Sequence, residues 1–384
     1  MEMFYATLRD FPRRVANRVQ TIKMAEALSR LFNVTMSVSK LHLSREELFI
    51  HYGVSTPFSI VELGESRIRP ITIWRFPHLI KAIRKTDPDF IFVREEYPAF
   101  LLTFLYDNVV YEMHDFAVGR EWVYRGILGR SLVTVVITRH LEKRCLETKR
   151  RPKRLLVLPD GVDLGNFKGS SDPTEAKRDL GLPLDKKVVL YAGRLSRWKG
   201  IYTLIESARY LPLHFNIVMI GGFEGEEASV MDFIRSKGLA HKIQLLGFKP
   251  HAKVPCFMRA ADVLVLPNSA EDDISKYFTS PLKMFEYMAS GRPVVASDVP
   301  SIREVLSEKM ALLSPPDDPK ALARAIIRAA TDTQAMKPRI ANCLEKVGEY
   351  SWDARARKLA MLLKQCISPS TALSHDRPEV STEK

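Results

Sequence analysis

Short runs of β-branched and aromatic residues alternate with amphipathic helical patterns along almost the whole chain. In its first part the pattern predicts strands at Met3–Thr7, Val34–Ser39, Asp89–Arg94, Val109–Met113, Thr134–Ile137 and Arg154–Leu158. Residues Asn17 to Leu31 place Val19, Ile22, Ala25 and Leu28 on one helical face, with Asn17 as the expected cap. After Phe167 the alternation starts again, with strands predicted at Val188–Ala192, Phe215–Ile220, Lys242–Leu246, Asp262–Leu266 and Pro293–Ala296. Strands interleaved with helices build βαβ units and hence parallel sheets.

Length turns this pattern into domains. A chain of 384 residues suits two domains of ordinary size. The stretch Lys168 to Asp185, rich in Gly, Ser, Pro and charge, reads as the linker. The expected organisation is an α/β domain over 1–167, a second over 168–350, a helix within 351–367 placed to cross back to the first domain, and a disordered polar tail, 368–384.

Charge adds a bias towards anionic partners. Lys and Arg number 58 against 45 Asp and Glu, a net +13. Residues 1–168 hold 27 basic and 19 acidic residues, net +8, so the excess leans to the first half. It is densest from Arg139 to Arg154, where eight basic residues face only Glu142 and Glu147. A solvated helix and loop explains such a run, and so does contact with anionic lipid. The four cysteines have no short spacing, which excludes a zinc knuckle or dithiol motif. The start MEMFYATLRD lacks a signal-peptide core, and no apolar run approaches bilayer-spanning length. The expected location is cytoplasmic, peripheral at most on the inner membrane face.

Four segments carry candidate chemistry. In LYAGRLSRWKGI, residues 190–201, a strand ends at Gly193 and a basic loop with Arg194 and Lys199 leads into a helix. That junction is where open α/β sheets bind anions. In FTSPLKMFEYMASG, residues 278–291, Ser280 is the expected cap, Pro281 suits the first helical position and Gly291 ends the helix. Glu286 lies in the body of that helix, and if buried it needs a partner such as a ribose diol. His114 follows the strand Val109–Met113 and could donate to a substrate oxygen or exchange a proton. Asp160 and Gly161, in VLPDGVD, form a turn just before the linker, where two domains would face each other.

Taken together, GRLSRWKG, VLPDGVDLGNF, ADVLVLPNS and SPLKMFEYMASGRPVVASDVPSIREVL resemble the retaining glycosyltransferases of the GT-B fold, the large family that includes sucrose synthases and many bacterial mannosyl- and glucosyltransferases. The resemblance implies two Rossmann-like parallel-sheet domains facing each other across a cleft. It implies that Arg194 and Lys199 hold a donor diphosphate, with Gly193 and the backbone of Ser280, Pro281 and Leu282 completing the cradle. Glu286 would take the ribose hydroxyls, Gly247 and Phe248 would sit near the base, and His114 would approach the donor sugar. The implied substrates are a nucleoside diphosphate sugar and a glycan or lipid-linked hydroxyl acceptor, with no metal or other cofactor.

Two departures from the family pattern stand out. The paired-glutamate motif E-x7-E has its second Glu at Glu286, but Phe278 occupies the position of the first. Glu271, Asp272 and Asp273 are near enough in sequence to be considered as substitutes. The family's early Gly-Gly loop is replaced by LRDFPRRVAN, residues 8–17. Asp87 and Asp89 mimic a D-x-D metal motif but open a strand at its amino end, away from the ligand edge. Nucleic acid is not an expected partner, because no basic motif with interleaved aromatics occurs. The rival readings are a sugar-nucleotide epimerase or hydrolase, and a non-catalytic sugar-nucleotide-binding protein.

Overall fold

A computed structural model describes residues 1–13, 15–64, 71–117, 119–167, 172–223 and 225–367. The predicted tail, 368–384, and residues 168–171 of the predicted linker lie outside the described residues.

Two parallel sheets organise the chain. The first contains β1 (Glu2–Ala6), β2 (Asn33–Val38), β3 (Ser59–Glu62), β4 (Phe90–Val93), β5 (Val109–Met113), β6 (Val133–Val136) and β7 (Leu155–Val157). Its spatial order is β3-β2-β1-β4-β5-β6-β7, with every pair parallel. The second contains β8 (Lys187–Ala192), β9 (Phe215–Ile220), β10 (Ile243–Leu245), β11 (Val263–Leu266), β12 (Val294–Ser297) and β13 (Leu312–Ser314). Its order is β10-β9-β8-β11-β12-β13, again parallel throughout. Helices pack on both faces of each sheet, as the near-continuous apolar runs of the central strands require.

β3 and β13 escape sequence prediction. β3, SIVE, is a mostly exposed edge strand with no apolar run, and β13, LLS, is an edge strand of three residues whose apolar run begins in the preceding turn. The linker prediction is corrected in part. Residues Pro173–Asp179 are helical, capped by the Asp172 side chain on the Thr174 N–H, and Ala176 is buried in the second domain's core. Asn17 does not cap the helix Ala16–Ser29; Val15 holds that position, and the Asn17 side chain instead accepts from Arg18.

The last helix, Trp352–Ile367, packs along Ala16–Ser29 and buries Trp352, Ala356, Leu359, Ala360 and Leu363 in one face of the first domain's core. At about 1.5–3 kcal/mol for each large apolar side chain, this helix is part of that domain's stability. Among the described residues no helix is long and apolar enough to cross a membrane.

Candidate active site: a cavity between the two sheets

The strand orders locate the site before any side chain is considered. The strand order of each sheet reverses at one point, between β1 and β4 in the first and between β8 and β11 in the second. Ligands of open α/β sheets bind outside the carboxyl ends of the strands at such points. A cavity of about 560 Å³ lies there, lined by both domains. Six basic side chains line it, Arg13, Arg94, Arg194, Lys199, Lys249 and Lys283, against two acidic ones, Asp160 and Glu286, so the cavity suits an anion.

On the second-domain side, β8 ends at Gly193 and the chain turns through Arg194 to Lys199. Gly200 is in the left-handed region, with φ +72°, and a Cβ there would come within 1.7 Å of the Pro267 carbonyl. Only glycine allows this approach, which holds the Lys199 loop against the end of β11. Lys199 sits over the Trp198 ring, 3.7 Å from its centroid, and its Nζ is 3.4 Å from Thr279 Oγ1. Burial, with repulsion from Arg194, pushes its amine down to about 7. Arg194 is half exposed, donates to Glu226 Oε1 at 2.9 Å and lies over Phe223.

Lys283 is the residue that sequence reasoning passed over. It is buried, its Nζ lies 3.6 Å from the Tyr191 ring centroid, and it has no hydrogen-bond partner among the described residues. Burial and the nearby Lys199 hold its amine well below the usual range. The available clue was a lysine embedded between Leu282 and Met284-Phe285 in an otherwise apolar helical stretch.

Glu286 is not a lone carboxylate. His251, in the turn His251–Lys253, meets its Oε1 through Nε2 at 2.7 Å. Burial opposes charge on His251, but the hydrogen bond to Glu286 outweighs it and raises the imidazole above its ordinary value. The second domain thus presents Glu286 already hydrogen-bonded to an imidazole.

On the first-domain side, His114 follows β5 and its Nε2 lies 2.5 Å from Oε1 of the buried Glu112. Glu112 also accepts from Gln20 at 2.5 Å and from Arg355 of the last helix at 2.7 Å. Burial alone would raise the Glu112 carboxyl, but Arg355 and then His114 outweigh it and hold it well below the carboxylate range. His114 itself is lowered by burial and by Arg94. A neutral His114 beside an ionised Glu112 carries its proton on Nε2, leaving Nδ1 as an acceptor. Burial raises the Asp160 carboxyl, whose Oδ1 has no partner among the described residues.

The expected site residues separate into two groups. His114, Asp160, Gly193, Arg194, Lys199, Phe248, Phe278, Ser280, Pro281, Leu282 and Glu286 all line the cavity. Gly247 and Gly161 do not. Gly247 accepts from the Gly221 N–H, and a Cβ on it would meet the Glu227 carboxylate at 3.1 Å. Gly161 packs under the Trp352 ring and the Tyr350 carbonyl. Ser280 is not the helix cap. Pro281 takes the cap position, and Ser280 Oγ accepts the Asp160 backbone N–H at 2.9 Å across the domain boundary.

Glu271, Asp272 and Asp273 do not substitute for the missing glutamate. Asp272 caps the turn Ile274–Phe278, Glu271 faces Arg197, and none of the three lines the cavity. Phe278 packs against an apolar core cluster of the first domain, so a side chain that bridges the domains stands where a carboxylate was expected. The segment 8–17 supplies Arg13, Ala16 and Asn17 to the cavity wall. Asp89 accepts the Glu2 N–H at the amino end of β4 and is a structural turn residue.

Residues 186–332 match the family described as Glycosyl transferases group 1. The chain is 28% identical over 223 residues to a D-inositol 3-phosphate glycosyltransferase of Corynebacterium urealyticum, and 31% identical over 215 residues to the lipopolysaccharide core biosynthesis mannosyltransferase LpsB of Rhizobium meliloti. These alignments cover 55% and 53% of this chain and only 51% and 59% of the relatives, so the chain spans little more than half the length of the proteins it matches. A solved structure of Anabaena Alr3699/HepE in complex with UDP and glucose superposes with a TM-score of 0.78 at 19% identity, covering 95% of this chain and all of that one. The fold is GT-B. Arg194, Lys199 and Lys283 lie within the matched segment, whereas His114 and its buried partners lie outside it.

Proposed function

We propose that the protein transfers a sugar from a nucleoside diphosphate donor to a hydroxyl acceptor, with retention at the anomeric carbon. The observation that carries this reading is the cluster of Arg194, Lys199 and Lys283 at the switch point of the sheet within the matched segment, facing His114 across one cavity. Two buried amines short of anionic partners fit a diphosphate, whose charge would favour and neutralise their protonated forms. The Anabaena neighbour is in complex with UDP and glucose, which makes UDP-sugars the first donors to test.

In this reading the cations stabilise charge that builds on the departing diphosphate as the sugar–phosphate bond breaks. The acceptor oxygen bonds to the anomeric carbon on the same face, and its proton passes to the departing phosphate oxygen. His114, neutral and accepting through Nδ1, positions a donor-sugar hydroxyl, and Glu286 on His251 takes the ribose diol. Phe278 gives the sugar an apolar neighbour where a second carboxylate would otherwise select hydroxyls. No metal is needed, since fixed cations do the neutralising. The basic excess of the first domain and the run Arg139–Arg154 suit an anionic or lipid-linked acceptor at the inner membrane face.

Incubation with labelled UDP- and GDP-sugars and candidate acceptors tests the proposal. An acceptor adduct with the donor's anomeric configuration is the expected product. Free or epimerised sugar without an adduct would instead favour a hydrolase or epimerase, and donor binding without turnover would favour a binding protein.

A further inference from the structure

The helices Glu96–Leu102 and Glu121–Arg130 lie side by side on the outside of the first domain. Their inner faces bury Ala99, Leu102, Val123, Ile127 and Leu128. Their outer face is not polar. Trp122 is 61% exposed, Phe104 and the adjacent Leu105 are each 55% exposed, and Tyr97 is 42% exposed. Phe100 joins them, with ring centroids 5.0 Å from Phe104 and 5.3 Å from Trp122. Gly126 makes room for that ring, since a Cβ there would come within 2.4 Å of it. Scattered exposed apolar residues are ordinary, but a continuous aromatic patch marks an interaction surface.

Arginine is in slight excess around the patch, with Arg120, Arg125, Arg130 and Arg150 against Glu96, Asp107 and Glu121. Arg130 lies over Phe104 at 3.9 Å and Arg120 over Tyr97 at 5.7 Å, and Arg125 is exposed between them in sequence. The acidic residues on the two helices are Glu96, which pairs with Arg120, and Glu121. Arg150 packs on Gly129, so the patch runs into the basic stretch that ends at Arg154. Aromatic side chains ringed by arginine suit the headgroup region of an anionic bilayer, where rings sit at the interface and cations meet phosphates.

We propose that this face docks on an anionic membrane surface, with Trp122, Phe104 and Leu105 inserted at the headgroup boundary. The helices start at the carboxyl ends of β4 and β5, directly after the cavity residues Arg94 and His114. Docking would therefore hold the cleft mouth near the headgroups, where a lipid-linked acceptor presents its hydroxyl. Only that consequence rests on the transferase reading; the binding itself does not.

Flotation of the full chain with phosphatidylcholine vesicles, with and without phosphatidylglycerol, tests the proposal. Salt-sensitive binding to the anionic vesicles is expected, with a blue shift of tryptophan emission that is lost in Trp122→Phe. The double substitution Trp122→Ser with Phe104→Ser should weaken binding at least about tenfold. Arg120→Ala and Arg125→Ala should cost roughly fivefold each. Thermal shifts by nucleoside diphosphates should be unchanged in all these variants, which separates failure here from failure of the donor site. Three results would overturn the proposal: no vesicle binding, binding indifferent to these residues, or concentration-dependent self-association abolished by the double substitution.

Discussion

Two histidines face the cavity from opposite domains, each on a glutamate, and their environments drive them in opposite directions. His251 rests on Glu286 and is raised above its ordinary value, because that carboxylate is the dominant charge it meets. His114 rests on Glu112, but burial, reinforced by the nearby Arg94, outweighs that carboxylate and the imidazole is lowered. The difference lies outside the His–Glu contact itself, in the arginine charge that stands against His114. It gives the cavity one imidazole biased towards its charged form beside Glu286, which would take the ribose diol in the proposed site, and one biased towards its neutral form at the proposed sugar end.

The comparison breaks most severely at Glu112. Glu112→Gln leaves Arg355 buried without its counter-charge and should destabilise the fold by about 3–5 kcal/mol, read by denaturant unfolding. Glu286→Gln, at the cavity edge, should cost about 1–3 kcal/mol by the same measurement. Equal losses would mean that the two carboxylates are not differently embedded.

On the substrate side, Lys199→Ala should lower turnover with the identified donor by about 10²-fold or more in steady-state kinetics. Diphosphate affinity of the wild type should fall as pH rises above about 7, the value to which Lys199 is pushed, because the neutral amine must first take up a proton. Calorimetric titrations at pH 6.5 and 8.5 check this, and equal affinities would contradict it. Lys283→Met should weaken diphosphate binding by roughly tenfold while raising the unliganded protein's stability by about 1 kcal/mol, since it removes an unpaired buried amine.

The smallest effect concerns pH and stability. The folded-state value of His251 is raised, so its contribution is complete below the unfolded value of 6.5 and is lost as pH rises through the folded value. His114 has the opposite sign: its lowered value costs stability as pH falls below 6.5, because the unfolded chain takes up the proton first. His251→Gln should therefore lose more stability at pH 6 than at pH 8.5, and His114→Gln should lose less at pH 6. Parallel profiles would erase the distinction.

Most of the fold was legible because parallel strands buried on both faces are written as apolar runs. β3 and β13 were not, being short edge strands. The placement of Arg194 and Lys199 at the cavity was legible because they sit in a strand–loop–helix junction, and that of Glu286 because it lies in the helix that follows Ser280 and Pro281. His251, Lys283 and Arg355 were not, because their roles come from partners far along the chain. His251 finds Glu286 35 residues away, and Arg355 finds Glu112 243 residues away. Phe278 could be read as a missing carboxylate, but its packing against the other domain could not.

The central claim is that the cavity cations form a diphosphate cradle. Thermal denaturation with uridine, guanosine and adenosine diphosphates tests it most directly, since a ligand bound only by the folded state raises the melting temperature. The account predicts that at least one diphosphate stabilises the wild type, more than its monophosphate does, and that Arg194→Ala with Lys199→Ala abolishes the shift. No shift with any diphosphate, or one unchanged in the double variant, would contradict it.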